Sequence, residues 1–142
     1  MSVVYSYKIH CELIITSANI TPDEINKEIE RKAHRSYKKG DKFISKHSGT
    51  EGKRAINLWA IKSNEIISED EDVSPHINYF KEIMNDKIEY FKRLKYDSTN
   101  RIDFWVWIEA DEAGIGLEIQ GSDLTFINSI ANCLHISSLP NS

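Results

Sequence analysis

Histidine and cysteine are the side chains best suited to bind a metal ion or to attack a substrate, and their spacing here fits neither use. The chain has five histidines and two cysteines. They are scattered and form no HxxxH or CxxC pattern: His10, His34, His47, His76, His135, Cys11 and Cys133. Strand alternation puts Cys11 on an apolar face, and Cys133 borders the apolar stripe of a helix, so both are expected to behave as small hydrophobes.

Motifs for phosphate binding and hydrolysis are missing as well. The stretch at 49–54 contains Gly49, Gly52 and Lys53 but lacks the spacing and the Ser or Thr of a P-loop. Neither GxSxG nor GxGxxG occurs in the chain. We therefore expect no catalytic residue, no metal site, no cofactor and no enzymatic activity.

Two tryptophans are candidates for molecular recognition. Trp105 and Trp107 share one face of a strand whose other face is apolar, with Ile102, Phe104, Val106 and Ile108. If helices cover only one side of the sheet, the tryptophans lie on the open side, where paired aromatic residues are typical anchors of a protein interface. If the second side is also covered, for instance by residues 34–57, both tryptophans belong to the core.

The net charge of −4 conceals two segments of opposite sign. Residues 31–54 carry nine Lys or Arg against two acidic residues, a net +7, so the rest of the chain carries −11. With Tyr37, Phe43 and His47 interleaved, this segment could contact a nucleic-acid backbone, although its composition is more typical of a solvated loop or helix face. The strongest acidic run consists of Glu69, Asp70, Glu71 and Asp72. It either favours the start of the following helix or steers a basic partner toward the protein.

The strands that would position these side chains follow from alternation of apolar and polar residues. Strands are predicted over 5–15, 55–62 and 101–110. A turn at 111–114 and renewed alternation over 115–119 predict an antiparallel hairpin with the preceding strand.

The helices follow from capping signals and apolar stripes. Thr21-Pro22-Asp23-Glu24 is a capping box with proline at the first helical position. Ser74-Pro75 predicts a long helix over 75–94, and Ser122 or Asp123 caps a last helix. Residues 34–57 are predicted to be a long basic loop, with a strand within 37–46 left open, and 137–142 a frayed tail.

The length of 142 residues and the hydrophobic content of 40% predict one domain over 1–142. The order β-α-β-α-β-β-α predicts an α+β fold, a two-layer sandwich with a mostly antiparallel sheet and helices on one face. The start of the chain has no basic, apolar leader, and its longest apolar run is the five residues 104–108. We therefore expect a cytoplasmic protein with no membrane partner.

Short motifs along the chain resemble those of a bacterial family of domains of unknown function, DUF4279. They are the proline-initiated helix start at 20–25, the Lys39-Gly40-Asp41 element and the tryptophan-containing strand at 58–63, followed by a long helix and a hairpin. The resemblance extends from about residue 5 to about residue 136. It implies a small intracellular α+β domain with relatives among immunity proteins of bacterial toxin systems, and it implies no catalytic residue. Residues 134–140 are weaker than the closing strand such a family would have.

These observations lead us to expect a non-enzymatic protein-binding module, an immunity protein that neutralises a cognate toxin by occluding its active site. Trp105 and Trp107 would anchor the toxin, and residues 69–72 would steer it. Two alternatives stay open at this point. One is a nucleic-acid-binding domain that uses residues 31–54, against which the acidic net charge argues; the other is a structural homodimer through the open sheet face. The protein is accordingly expected to be a monomer or a homodimer.

Overall fold

The centre of the fold is a pair of antiparallel strands of 11 residues each. The computed structural model describes residues 7–110 and 116–140. The strands are β1 (Tyr7–Ser17), β2 (Arg35–Tyr37), β3 (Lys42–Ile44), β4 (Glu51–Lys53), β5 (Asn57–Lys62), β6 (Asn100–Ala110) and β7 (Cys133–Pro140). The helices are α1 (Pro22–Ile29), α2 (Val73–Met84), α3 (Ile88–Tyr96) and α4 (Gly121–Ile130), with one 3-10 turn at Ser63–Glu65.

The main sheet has five strands in the order β2-β5-β1-β6-β7, and β3 and β4 form a separate hairpin. All neighbours in the main sheet are antiparallel except β6 and β7, which are parallel. The predicted α+β class with a mostly antiparallel sheet is therefore confirmed.

One face of the sheet carries the hydrophobic core, and all four helices contribute to it. The strand side chains in the core are Ile9, Cys11, Leu13, Ile15, Trp59, Ile61, Ile102, Phe104, Val106 and Ile108. Because side chains alternate along a strand, the residues between them point to the opposite face. In β6 these are Asp103, Trp105 and Trp107. No helix of the described residues reaches the length and apolarity that a membrane span requires.

The first helix begins as its capping box predicts. The Thr21 hydroxyl accepts from the Glu24 backbone N–H at 3.3 Å, and the Glu24 carboxylate accepts from the Thr21 backbone N–H at 2.8 Å. Ile25 and Ile29 are buried and carry the helix onto β5. This short-range prediction holds because every residue that it needs lies within one helical turn.

The predicted helix over 75–94 is in fact two helices. Asn85, Asp86 and Lys87 form a turn between α2 and α3, and the backbone has left helical geometry at Lys87, with φ −119° and ψ 6°. Asn and Asp are poor helix formers, because their side chains compete for backbone hydrogen bonds. The apolar stripe continues across the break, so periodicity alone could not reveal it. The first of these helices also starts earlier than predicted, at Val73, and it is capped by Asp72 rather than by Ser74.

The predicted hairpin after β6 is wrong. Its turn at 111–114 and Ile115 lie outside the described residues, and residues 116–120 form no strand. Leu117 and Ile119 pack against the core, which explains their alternation without strand pairing. The second neighbour of β6 is β7 instead, which includes residues 137–140 of the supposed frayed tail. A parallel neighbour needs a long crossover, and the segment containing α4 supplies it.

The predicted long loop over 34–57 contains three short strands and the start of a fourth. Tyr37 of β2 pairs with Leu58 of β5, and Phe43 of β3 pairs with Gly52 of β4. Most residues of these short strands are exposed and charged or polar. Strands without an alternating apolar face leave no periodic signal, which is why the sequence indicated a loop.

A buried histidine links α2 to the centre of the sheet. His76 is 0% exposed, and its Nδ1 lies 2.6 Å from the Ser63 hydroxyl. That hydroxyl oxygen accepts from the Cys11 backbone N–H at 2.9 Å. No protein group hydrogen-bonds to Nε2 of His76 in the described structure. Burial lowers the pKa of His76 below its ordinary value of 6.5, so the folded protein holds this ring neutral.

We expect the free energy of unfolding to fall as the pH drops below about 6.5, because the unfolded chain then takes up a proton that folded His76 resists. The slope attributable to this ring is at most about 1.4 kcal/mol per pH unit. Urea unfolding between pH 5 and 7 measures it. His76→Gln should flatten the profile, whereas the exposed-site control His47→Ala should leave it unchanged. An identical slope in His76→Gln and the parent protein would contradict this prediction.

Candidate functional site

A ladder of aromatic rings crosses the face of the sheet opposite the core. Trp105 and Trp107 stack with their ring centroids 4.6 Å apart and their planes 5° from parallel. His135 of β7 stacks on the other side of Trp105 at 4.1 Å and 11°. Both tryptophans are partly exposed and neither belongs to the buried core. The sequence allowed the tryptophans to lie either in the core or on an uncovered face of the sheet. The structure places them on the uncovered face, which we call the open face.

Strand register explains why these rings meet. Trp105 and Trp107 are two residues apart on β6 and so share a face. Trp105 lies opposite His135 in the parallel pair with β7, and Trp107 lies opposite His10 in the antiparallel pair with β1. The His10 ring is inclined 25° to Trp107, with the centroids 6.5 Å apart. The ladder therefore spans the three strands β1, β6 and β7.

The start of the acidic run is tied to the same face. The Ile9 backbone N–H donates to the Glu69 carbonyl at 2.9 Å, which holds Glu69 beside β1. Its carboxylate lies 3.9 Å from Nδ1 of His10. Burial nevertheless dominates at His10 and lowers the pKa of the imidazole, with the nearby Glu69 charge acting in the opposite direction. Glu69 and Trp107, which were separate candidates in the sequence, thus border one surface.

The surface between them is a recess of about 230 Å³. Its charged lining residues are Glu12, Glu69 and Glu109 against Lys8 and Lys62, and His10, Trp107, Ile108 and Leu139 complete the wall. Carboxylates therefore outnumber cations, with His10 neutral. The carboxylates of this lining that reach solvent are those of Glu69 and Glu109, because Glu12 is buried.

Glu12 forms the floor of this region and is only 4% exposed. Its Oε1 accepts from Nε1–H of Trp107 at 3.3 Å, which fixes the tilt of the indole. Its Oε2 has no hydrogen bond in the described structure, and Nη2 of Arg35 lies 3.6 Å away. A buried carboxylate with one oxygen unsatisfied keeps part of its capacity to accept a hydrogen bond.

The other members of the acidic run have different places. Asp72 caps α2 by accepting from the Val73 backbone N–H at 2.8 Å. Of the two roles considered for the acidic run, this residue therefore has that of favouring the start of the helix. Asp70 and Glu71 are exposed beyond it. Glu69 therefore belongs to the open face, Asp72 belongs to the helix start, and the two residues between them are available to a partner.

Two aromatic residues of the basic segment 31–54 contact an arginine of the same segment. The Arg54 guanidinium lies 4.2 Å from the ring centroids of both Tyr37 and Phe43. An arginine between two rings forms a cation–π pair with each of them, which covers one face of each ring that a stacked base would need. Lys38 and Lys42 of this segment also pair with Asp23 and Glu51. These contacts give the segment a structural role within β2, β3 and β4.

The two cysteines differ more than the sequence indicated. Cys11 is fully buried, and burial raises the pKa of its thiol far above the ordinary range, as expected of a small hydrophobe. Cys133 is the first residue of β7. Its thiol comes together with Asp103 and His135, whose ligand atoms all lie within 4.8 Å of one another.

The sequence did not indicate this grouping, because its members have neither the helical nor the loop spacing of common metal sites. Cys133 and His135 are two residues apart, which puts them on one face of a strand, and Asp103 lies opposite Cys133 in the neighbouring strand. Only the register of β6 and β7 reveals the third member. A Cys-x-His pattern in a predicted strand would have been the available signal.

Comparison with protein families gives one match. The family model described as Domain of unknown function (DUF4279) matches residues 7–138. This match covers most of the chain and confirms the resemblance inferred from the motifs at 20–25, 39–41 and 58–63. No curated protein and no solved structure matches the chain.

Proposed function

This chain belongs to the DUF4279 family of domains of unknown function, and we propose that it is a non-enzymatic protein-binding module. The observation that carries the proposal is the Trp105–Trp107–His135 stack on the open sheet face. Aromatic side chains that are held rigidly and partly exposed contribute binding area with little loss of conformational entropy.

The charges around the stack favour a partner with a basic surface. The recess beside Trp107 has more carboxylates than cations, and Asp70 and Glu71 extend the negative charge away from it. A partner lysine or arginine that enters the recess would meet the Glu69 and Glu109 carboxylates, and the indole of Trp107 would contact its aliphatic part. Opposite charges of this kind accelerate association and select the partner.

The specific role that we propose is that of an immunity protein, which occludes the active site of a cognate toxin. A toxin that acts on nucleic acid needs a basic active-site surface to bind phosphates, and the exposed Asp70 and Glu71 beside the open face have the complementary charge. The resemblance described above implies relatives among immunity proteins, and we extend that role to this chain. In this proposal the chain needs no catalytic group of its own, because binding alone blocks the toxin.

Titration calorimetry of the full chain against the purified product of the neighbouring gene tests this function. We expect stoichiometric binding, together with loss of the neighbour's activity in the mixture. Absence of heat with the product of either adjacent gene would contradict the proposal. A chain that instead sediments as a dimer, and becomes monomeric as Trp105→Ala, would assign the open face to a second copy of itself.

Removing the exposed acidic charges should slow association. We expect Glu69→Gln/Asp70→Asn/Glu71→Gln to lower the association rate constant about tenfold at low salt, with little change in dissociation. Asp72 is kept because it caps α2. Stopped-flow mixing with the partner at several salt concentrations measures the effect.

The matched control, Glu28→Gln/Glu82→Gln/Asp86→Asn, removes the same charge from exposed positions outside the acidic run. It should retain most of the association rate. Equal slowing by both triple variants would mean that only the net charge matters, and would remove the acidic run from the interface.

A further inference from the structure

We propose that Asp103, Cys133 and His135 bind one divalent metal ion of the zinc class. Nε2 of His135 and Oδ1 of Asp103 are 2.8 Å apart, and the Cys133 sulfur lies within 4.8 Å of the ligand atoms of both. All three residues are partly buried. They sit on paired strands of the sheet, so rigid backbone rather than a mobile loop positions them.

The donor set is the one that zinc prefers. Thiolate, imidazole and carboxylate bind Zn²⁺ at about 2.0–2.3 Å in tetrahedral geometry, which puts neighbouring ligand atoms about 3.3–3.8 Å apart. The cluster is already close to those separations, so small side-chain rotations suffice. Three protein ligands leave a fourth coordination position for a water molecule or another ligand.

A cation already occupies the cluster. Nε of Arg101 lies 3.0 Å from each Asp103 oxygen, and its Nη2 lies 3.6 Å from the Cys133 sulfur. The Arg101 side chain is 57% exposed, so it can turn into solvent when a metal ion arrives. In the metal-free protein the guanidinium balances the charge of the Asp103 carboxylate.

Metal binding also has a consistent proton balance. On binding, the Cys133 thiol loses its proton to solvent, and the neutral His135 ring binds the metal ion through Nε2 with its single proton on Nδ1. The face of the His135 ring stacks on Trp105, with the ring centroids 4.1 Å apart. Orientation of a ligating histidine by its surroundings raises metal affinity, and here an indole face fixes the plane of the ring.

Titration of the full chain with Co²⁺, in the absence of any partner protein, tests this site. We expect one equivalent to produce a near-ultraviolet thiolate-to-cobalt charge-transfer band and visible bands of tetrahedral intensity, and Zn²⁺ to displace both. Co²⁺ should also quench tryptophan fluorescence, because Trp105 contacts the ligand His135. Affinity should rise with pH as the thiol proton is lost.

Two variants assign the ligands. Cys133→Ser should abolish the charge-transfer band while Cys11 remains as an internal control thiol, and His135→Ala should weaken Co²⁺ binding by about tenfold or more. Circular dichroism checks that both variants fold. Absence of a charge-transfer band in the parent protein, or its survival in Cys133→Ser, would overturn the proposal. In that case the cluster is an Arg101–Asp103–His135 ion network only.

Discussion

Trp105→Ala is expected to weaken partner binding by about 30-fold or more, which corresponds to about 2 kcal/mol or more. Trp105 occupies the middle of the ring ladder, between Trp107 and His135. Its removal deletes contact area and also frees both neighbouring rings to move, so the interface loses its most rigid part. Titration calorimetry with the partner measures the loss.

Tyr96→Ala is the matched control for this variant. Tyr96 is 93% exposed and lies at the end of α3, so it is an aromatic residue outside the open face. Its replacement should leave affinity within about twofold of the parent protein. If Tyr96→Ala weakens binding as much as Trp105→Ala does, the open face is not the interface.

Phe104→Ala is expected to lower the free energy of unfolding by about 3–5 kcal/mol. Phe104 is the neighbour of Trp105 on β6 but points to the other side of the sheet. It is 0% exposed and meets Phe80 of α2 edge to face, with ring centroids 5.2 Å apart. A cavity at this position removes contacts between the central strand and a helix that covers it. Urea unfolding measures the change.

Substitutions of Phe104 and Trp105, which are neighbours on β6, should therefore affect different properties. Phe104→Ala should lower the stability of the fold, and Trp105→Ala should mainly weaken partner binding. Trp105→Ala should cost less than about 1.5 kcal/mol of unfolding free energy, because its ring is only partly buried. Leu124→Ala, at a site 44% exposed, controls for loss of an apolar side chain and should cost about 0.5 kcal/mol or less. A Phe104→Ala protein as stable as the Leu124→Ala protein would contradict the assignment of the core face.

The parts of the fold that local sequence predicts are those encoded within a few residues. The capping box at Thr21 and the alternation in β1 and β6 each need only neighbours along the chain. The sequence did not predict the break between α2 and α3, because the polar residues at the break do not interrupt the apolar stripe. The pairing of β6 with β7 escaped because the two strands are joined through a crossover, and no local pattern encodes such a partner.

The candidate site divides in the same way. The shared face of Trp105 and Trp107 follows from strand period, so it was predictable. The stack with His135, the approach of Glu69 to His10 and the grouping of Asp103 with Cys133 all depend on which strands are neighbours and in what register. A shift of one residue in that register would turn each side chain to the other face.

Hydroxyl-radical footprinting of the complex with the neighbouring gene product tests most directly whether the open sheet face is the binding surface. Trp105, Trp107 and His135 are partly exposed in the free protein and should be oxidised there. On binding we expect strong protection of these three residues from oxidation, while Tyr96 should be oxidised as fast as in the free protein. A complex in which Trp105 and Trp107 are oxidised as fast as in the free protein would contradict the account.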